Sequence, residues 1–107
     1  MSEIDALVRI QPRFYVAFFI TKFKSLDEVK AKFPEAITMH IQRTREFYKR
    51  GIILMAGAFA DHPEEPVTTM AVLISRETAE EFVKGDPFVL NGMIEKCYIR
   101  EWNNLMK

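Results

Sequence analysis

The sequence predicts an α+β domain with the element order βαββαβ, the ferredoxin-like arrangement of two helices on a four-stranded antiparallel sheet. Three observations lead there. Four short runs of aromatic and branched apolar residues have the composition of strands. Two segments carry apolar residues at helical spacing between a proline or serine start and a glycine stop. The first two strand runs are, in addition, apolar on both faces. A chain of 107 residues with 49% hydrophobic content is the size of one domain with one core.

Residues 1–12 mix polar and apolar types, end in Gln11-Pro12 and read as an N-terminal arm, with residues 13–107 forming the domain. The first strand is Phe14–Ile20, a run of aromatic and branched side chains that fits a pleated surface. In the connection after it, Ser25-Leu26-Asp27-Glu28 has the signature of a short turn of helix. The first main helix runs from Pro34, whose missing N–H would have had no partner at a helix start, to Arg50, and Gly51 supplies a left-handed stop. Ile37, Ile41, Thr44, Phe47 and Tyr48 recur at its period, and Lys49 and Arg50 meet the negative end of its dipole. Ile52–Phe59 is the second strand. The two prolines of Asp61-His62-Pro63-Glu64-Glu65-Pro66 forbid regular pairing and make that segment the link to a third strand, Val67–Ile74. Ser75 caps a second helix, with Glu77 in its first turn and Phe82-Val83 on its buried side, ending near Lys84-Gly85. Beyond Asp86-Pro87 and the turn at Asn91-Gly92, Met93–Trp102 is the fourth strand.

Helices in this order cover one face of the sheet. An antiparallel sheet with a wet second face would alternate apolar and polar residues, and the first two strands do not. The open face therefore has to bury against a second subunit, a ligand, or both. A dimeric α+β barrel does this, so a homodimer is the expected assembly.

Charge and composition remove several classes of function. The 15 basic residues balance 15 acidic ones, leaving no long-range field for a nucleic acid or an acidic membrane surface. The apolar run Phe14–Ile20 is far short of the ~20 residues of a membrane helix. Cys97 is the one cysteine, and Met1-Ser2-Glu3-Ile4-Asp5 has no signal-peptide character, so a cytoplasmic location is expected. The two histidines and single cysteine lack metal-ligand spacing, the methionines read as core filler, and no phosphate-cradling glycine loop or nucleophile elbow is present. Neither metal nor organic cofactor is expected.

One constellation carries chemistry. His40 precedes Gly51 by eleven residues and Gly57 by seventeen, and Gly85-Asp86-Pro87-Phe88 follows. On these residues the chain resembles the YciI-like family over Phe14 to Trp102. The resemblance implies two sheets packed face to face with a small cleft in each subunit, lined by a histidine and an aspartate. His40 matches the histidine, as acid or base, and Asp86 the aspartate, as its orienting or proton-sharing partner.

Each residue also has a plainer reading. His40 lies at the edge of the helix's buried stripe, where a backbone carbonyl or water would satisfy it equally well. Gly-Asp-Pro is ordinary turn chemistry in which Asp86 caps free backbone N–H groups, although Pro87 restrains it and Phe88 adds an aromatic wall. Spacing leaves open whether Asp86 reaches the His40 of its own subunit. Gly57, inside a bulky strand, marks a bulge or the close approach of a ligand or neighbouring chain. Arg43, one turn after His40, is a candidate for contact with an anionic substrate, although Arg43, Arg45, Lys49 and Arg50 together read as a solvated basic face. His62 reads as solvated, at most a pocket rim.

The leading expectation is a cofactor-independent enzyme of lyase or isomerase type, transferring a proton on a small cyclic or aromatic-derived molecule, with Gly57, Phe88 and Arg43 on the substrate side. The alternative is a non-catalytic dimeric ligand-binding or regulatory module using the same cleft. A cofactor-independent monooxygenase or haem-binding member of the wider barrel group, for which His40 and Trp102 would be offered, matches least well.

Overall fold

The computed structural model describes residues 2–4, 13–59, 61–62 and 64–105. The arm expected at residues 1–12 falls outside these, save for residues 2–4. In chain order the elements are β1 (Arg13–Thr21), α1 (Leu26–Lys32), α2 (Pro34–Lys49), β2 (Ile53–Phe59), β3 (Thr68–Leu73), α3 (Arg76–Lys84), α4 (Pro87–Leu90) and β4 (Ile94–Asn103). The strands form one antiparallel sheet in the order β2-β3-β1-β4, with β1 and β3 central. This is the ferredoxin-like α+β fold, and its main elements begin and end within a residue or two of the sequence reading.

Local chemistry explains the boundaries. The Ser25 hydroxyl accepts from Glu28 N–H at 3.1 Å and starts α1. Phe33, which precedes a proline, takes φ −136° and separates α1 from α2, whose first residue is Pro34. Gly51 stops α2 at φ +77°, a value that L side chains rarely adopt. Ser75 caps α3 by accepting from Thr78 N–H at 3.2 Å. Two elements exceed the sequence reading. The turn at Ser25 extends to a seven-residue helix, and the segment after Asp86 winds into α4 rather than remaining a turn.

The helices pack on one face of the sheet. Along β1, Ala17 and Phe19 point to that face and join Ala71 and Leu73 of β3, Ile53 of β2, Phe47 of α2 and Ala79 and Phe82 of α3 in the main core. A second cluster, Val29, Ala36, Phe88 and Met93, ties α1, α2 and α4 together at one end. The register irregularity of β2 lies between Ile53 and Met55. Gly57 is not at a bulge, because it pairs regularly with Met70 while Ala58 pairs with Thr69.

Candidate functional site

Helix α2 presents Ile37, His40, Ile41, Thr44 and Arg45 toward a cavity of about 410 Å³ that lies between this helix and the sheet. The spacing i, i+3, i+4, i+7, i+8 places all five on one stripe. The floor comes from strand residues that include Phe19 and Thr21 of β1, Ala56 and Ala58 of β2, and Thr69 and Ala71 of β3. Phe82 and Phe88 close the side next to His40, and Val29 and Lys30 of α1 complete the wall. The volume falls in the range of small-molecule sites, and most of the wall is hydrocarbon.

His40 and Asp86 meet within one chain. Nδ1 of His40 lies 2.5 Å from Oδ1 of Asp86, whose side chain is fully buried, while that of His40 is 12% exposed. The other carboxylate oxygen, Oδ2, accepts from Phe88 N–H at 2.9 Å, so Asp86 caps α4 and holds the imidazole at once. Asp86 thus makes the turn contact and the contact with His40 at the same time. Pro87 at the first position of α4 fixes the backbone there. The Phe88 ring stacks on the His40 ring at 4.0 Å between centroids and 11° between planes, and Phe19 meets the imidazole edge-on at 6.2 Å. Two aromatic walls and one carboxylate thus fix the ring. With Nδ1 engaged, Nε2 is the ring nitrogen that has no protein hydrogen bond among the described residues. A carboxylate partner favours the tautomer with the hydrogen on Nδ1, which leaves the Nε2 lone pair turned away from Asp86.

Arg43 corrects the sequence reading. Its guanidinium does not line this cavity. Nη1 donates to Phe82 O at 2.7 Å and Nη2 to Glu81 O at 3.0 Å, satisfying carbonyls in the last turn of α3, and the group lies over the Phe47 and Phe82 rings. Burial pushes this guanidinium below the ordinary arginine value, and the Asp86 and Glu81 charges act the other way. A Cβ on Gly85 would come within 2.6 Å of Nη2, so this glycine makes room for the clamp. The arginine that does reach the cavity wall is Arg45.

Gly57 contributes to the cavity wall, and a Cβ built there meets nothing within 4 Å. Among the described residues no group excludes a side chain at that position. Arg45, Thr69 and Lys30 are cavity residues that the sequence reading did not assign to a site. A threonine in a strand and a cation on a helix carry no local signal of such a role. His62 is exposed. Among the described residues no group of three or more His, Cys, Asp or Glu side chains is placed to hold a metal ion, and no helix is long and apolar enough to cross a membrane.

A four-stranded antiparallel sheet with helices on one face, and His40, backed by Asp86, at the wall of an apolar cavity, defines an α+β protein of the ferredoxin-like fold. The chain belongs to the YCII-related family, whose domain model matches residues 14–103. Among solved structures it is similar to a 5-chloro-2-hydroxyhydroquinone dehydrochlorinase from Burkholderia phenoliruptrix AC1100 in complex with 2,5-dihydroxybenzoquinone. That match has TM-score 0.62 and 13% identity, over 85% of this chain and 94% of the other. It is also similar to a dimeric ferredoxin-like protein from an uncultured marine organism, with TM-score 0.54 and 6% identity over 94% and 93% of the two chains. A third similar structure is a conserved protein from Methanosarcina mazei Go1, with TM-score 0.51 and 16% identity over 92% and 98%. At these identities the likeness is one of fold. A search of curated proteins gave no significant match.

Proposed function

We propose that the protein is a cofactor-independent enzyme of lyase or isomerase type that moves a proton on a small cyclic or aromatic-derived molecule, and that it works as a homodimer. The observation that carries this reading is the His40–Asp86 contact of 2.5 Å at the wall of an apolar cavity. Asp86, anchored by Phe88 N–H, orients the imidazole and stabilises it when it becomes charged. Nε2 of His40 takes the proton from an acidic carbon of the substrate. In an isomerisation the imidazolium returns that proton to another carbon; in an elimination the electron pair expels a leaving group and the proton passes on to solvent. A positioned acid–base group is worth ~10²–10⁴ in rate, which suits an activated carbon acid. The dehydrochlorinase among the similar structures performs an elimination, and its bound dihydroxybenzoquinone is a ligand of the size class proposed here.

The homodimer rests on the sheet face opposite the helices, where Met55 is 62% and Phe59 51% exposed. Assaying the purified protein against lactones and hydroxyquinols, beside His40→Ala, tests the enzymatic reading. Turnover lost in the variant supports it. Binding with no turnover in either protein replaces it with the ligand-binding module.

A further inference from the structure

We propose that the cavity beside His40 is a site for a small, ring-sized organic anion, whose charge is met by Lys30 and Arg45 and one of whose oxygens accepts a hydrogen bond from the Thr69 hydroxyl. The inference takes its location from the function proposed above and adds the substrate class and the residues that select it.

Charge comes first. The chain as a whole is neutral, with 15 basic and 15 acidic side chains, but the cavity does not share that balance. Apart from His40, its charged wall residues are Lys30 and Arg45, and no carboxylate is among them. Lys30 comes from α1 and Arg45 from α2, and both are exposed, so the two helices bring cations to the solvent side of the site. Neither makes an ion pair among the described residues. An apolar cleft bordered by one sign of charge favours a ligand of the other.

Hydrogen-bonding capacity comes second. Three threonines line the cavity. The Thr44 hydroxyl donates to His40 O at 2.7 Å, and the Thr21 hydroxyl to Val67 O at 2.8 Å. The Thr69 Oγ1 is buried and has no hydrogen-bond partner. Its cross-strand neighbours are Phe19 and Ala58, which offer it no side-chain acceptor. A buried hydroxyl left without a partner destabilises the fold, so Thr69 fits a group whose partner arrives with the ligand. With Nε2 of His40 on the helix side and Thr69 on the sheet side, polar groups on opposite walls would orient a flat ring inside an apolar slot.

Titration calorimetry with hydroxybenzoates and the matching neutral hydroxybenzamides tests the site on the intact protein. The carboxylates are expected to bind roughly tenfold tighter than the amides. The Lys30→Gln, Arg45→Gln double variant should erase that preference. Thr69→Val should raise the thermal midpoint, because it removes an unsatisfied group, and yet weaken carboxylate binding roughly fivefold. Thr69→Ser should restore the affinity. Equal affinity for the two sets, no binding of the carboxylates in the millimolar range, or a Thr69→Val variant that binds as tightly as wild type overturns the proposal. His40→Ala separates the two readings. If it keeps the preference for carboxylates while no compound is turned over by wild type, the anion site stands without the proton-transfer function. If wild type turns over only neutral compounds, the function stands and the anion site falls.

Discussion

In β1 and β2 the two faces of the sheet are both apolar in sequence, yet they differ in state toward the rim. On the helix side Ala17, Phe19, Ala71 and Leu73 are at most 2% exposed. On the other side Val16 and Val72 are shielded at the centre, at 6% and 2%, while Met55, Phe59 and Trp102 stand 62%, 51% and 47% exposed toward the rim. Pattern alone cannot rank the faces, because adjacent residues of β1, Phe18 and Phe19, are the same amino acid. What separates them is the layer above. The helix face is finished by the protein's own helices, and it is complete enough to keep a cavity and a buried carboxylate beside the core. Among the described residues the outer face has no such layer, and the proposed homodimer supplies one at the rim.

The largest expected effect on the folded subunit is Phe19→Ala. Phe19 is 1% exposed and packs edge-on against Phe82 at 5.7 Å and His40 at 6.2 Å. Its loss should cost ~3–5 kcal/mol in denaturant unfolding. Phe18, half-buried on the outer face and stacked on Tyr98 at 5.0 Å, should cost about half as much at protein concentrations that keep the subunits apart. Equal costs at the two positions would mean that the outer face is as complete as the helix face.

Asp86→Ala comes next, at ~2–4 kcal/mol, since it removes the cap on Phe88 N–H and the partner of the imidazole together. Asp86→Asn keeps an acceptor for Phe88 N–H and should recover much of that loss while still impairing turnover. Stability and activity measured on the same two variants separate the capping role from the proton-transfer role. Matched losses of both in Asn and Ala would reduce Asp86 to a structural residue.

How far the sequence reached can be judged on these same residues. The four strands and the two long helices were legible because each carries several periods of pattern or a capping signal, such as Pro34 or Ser75. Helix α4 was not, for four residues are about one turn and show no period, and its cap Asp86 looks like any turn aspartate. Helix α1 was visible at its Ser25 start but gave no sign of its end. His40 and Asp86 were singled out by family resemblance; spacing gave no distance between them. Arg43 was misplaced for a geometric reason. A helix turns ~100° per residue, so the stripe Ile37–His40–Ile41–Thr44–Arg45 has His40 at one edge and Arg45 at the other, and Arg43 falls ~60° outside the His40 edge. There it meets the end of α3, a contact fixed only by tertiary structure.

Arg43→Ala measures how much that contact contributes to finishing the helix face. The side chain gives two hydrogen bonds to carbonyls of α3 and covers two aromatic rings, so its removal should cost ~1–2 kcal/mol in stability. Ligand affinity in the cavity should change little, because the guanidinium lies outside the wall. A large loss of affinity with small loss of stability would return Arg43 to the substrate side.

Phe59→Glu has the smallest expected effect on the subunit and is the most direct test of the difference between the faces. Phe59 ends β2 at the sheet edge, pairs with Thr68 and is half exposed in the single chain, so a glutamate there keeps its charge in water as long as the subunit is alone. Unfolding of the dilute subunit should shift by no more than ~0.5 kcal/mol, the usual range for surface substitutions. At a sheet-to-sheet contact the same charge would be buried without a partner, at a cost large enough to dissociate a homodimer. Light scattering should therefore report the dimer mass for wild type and the monomer mass for the variant, with circular dichroism unchanged between them. A variant that stays dimeric would place the contact elsewhere. A wild type that is monomeric at high concentration would leave the outer face exposed by design and remove the distinction drawn from its missing layer.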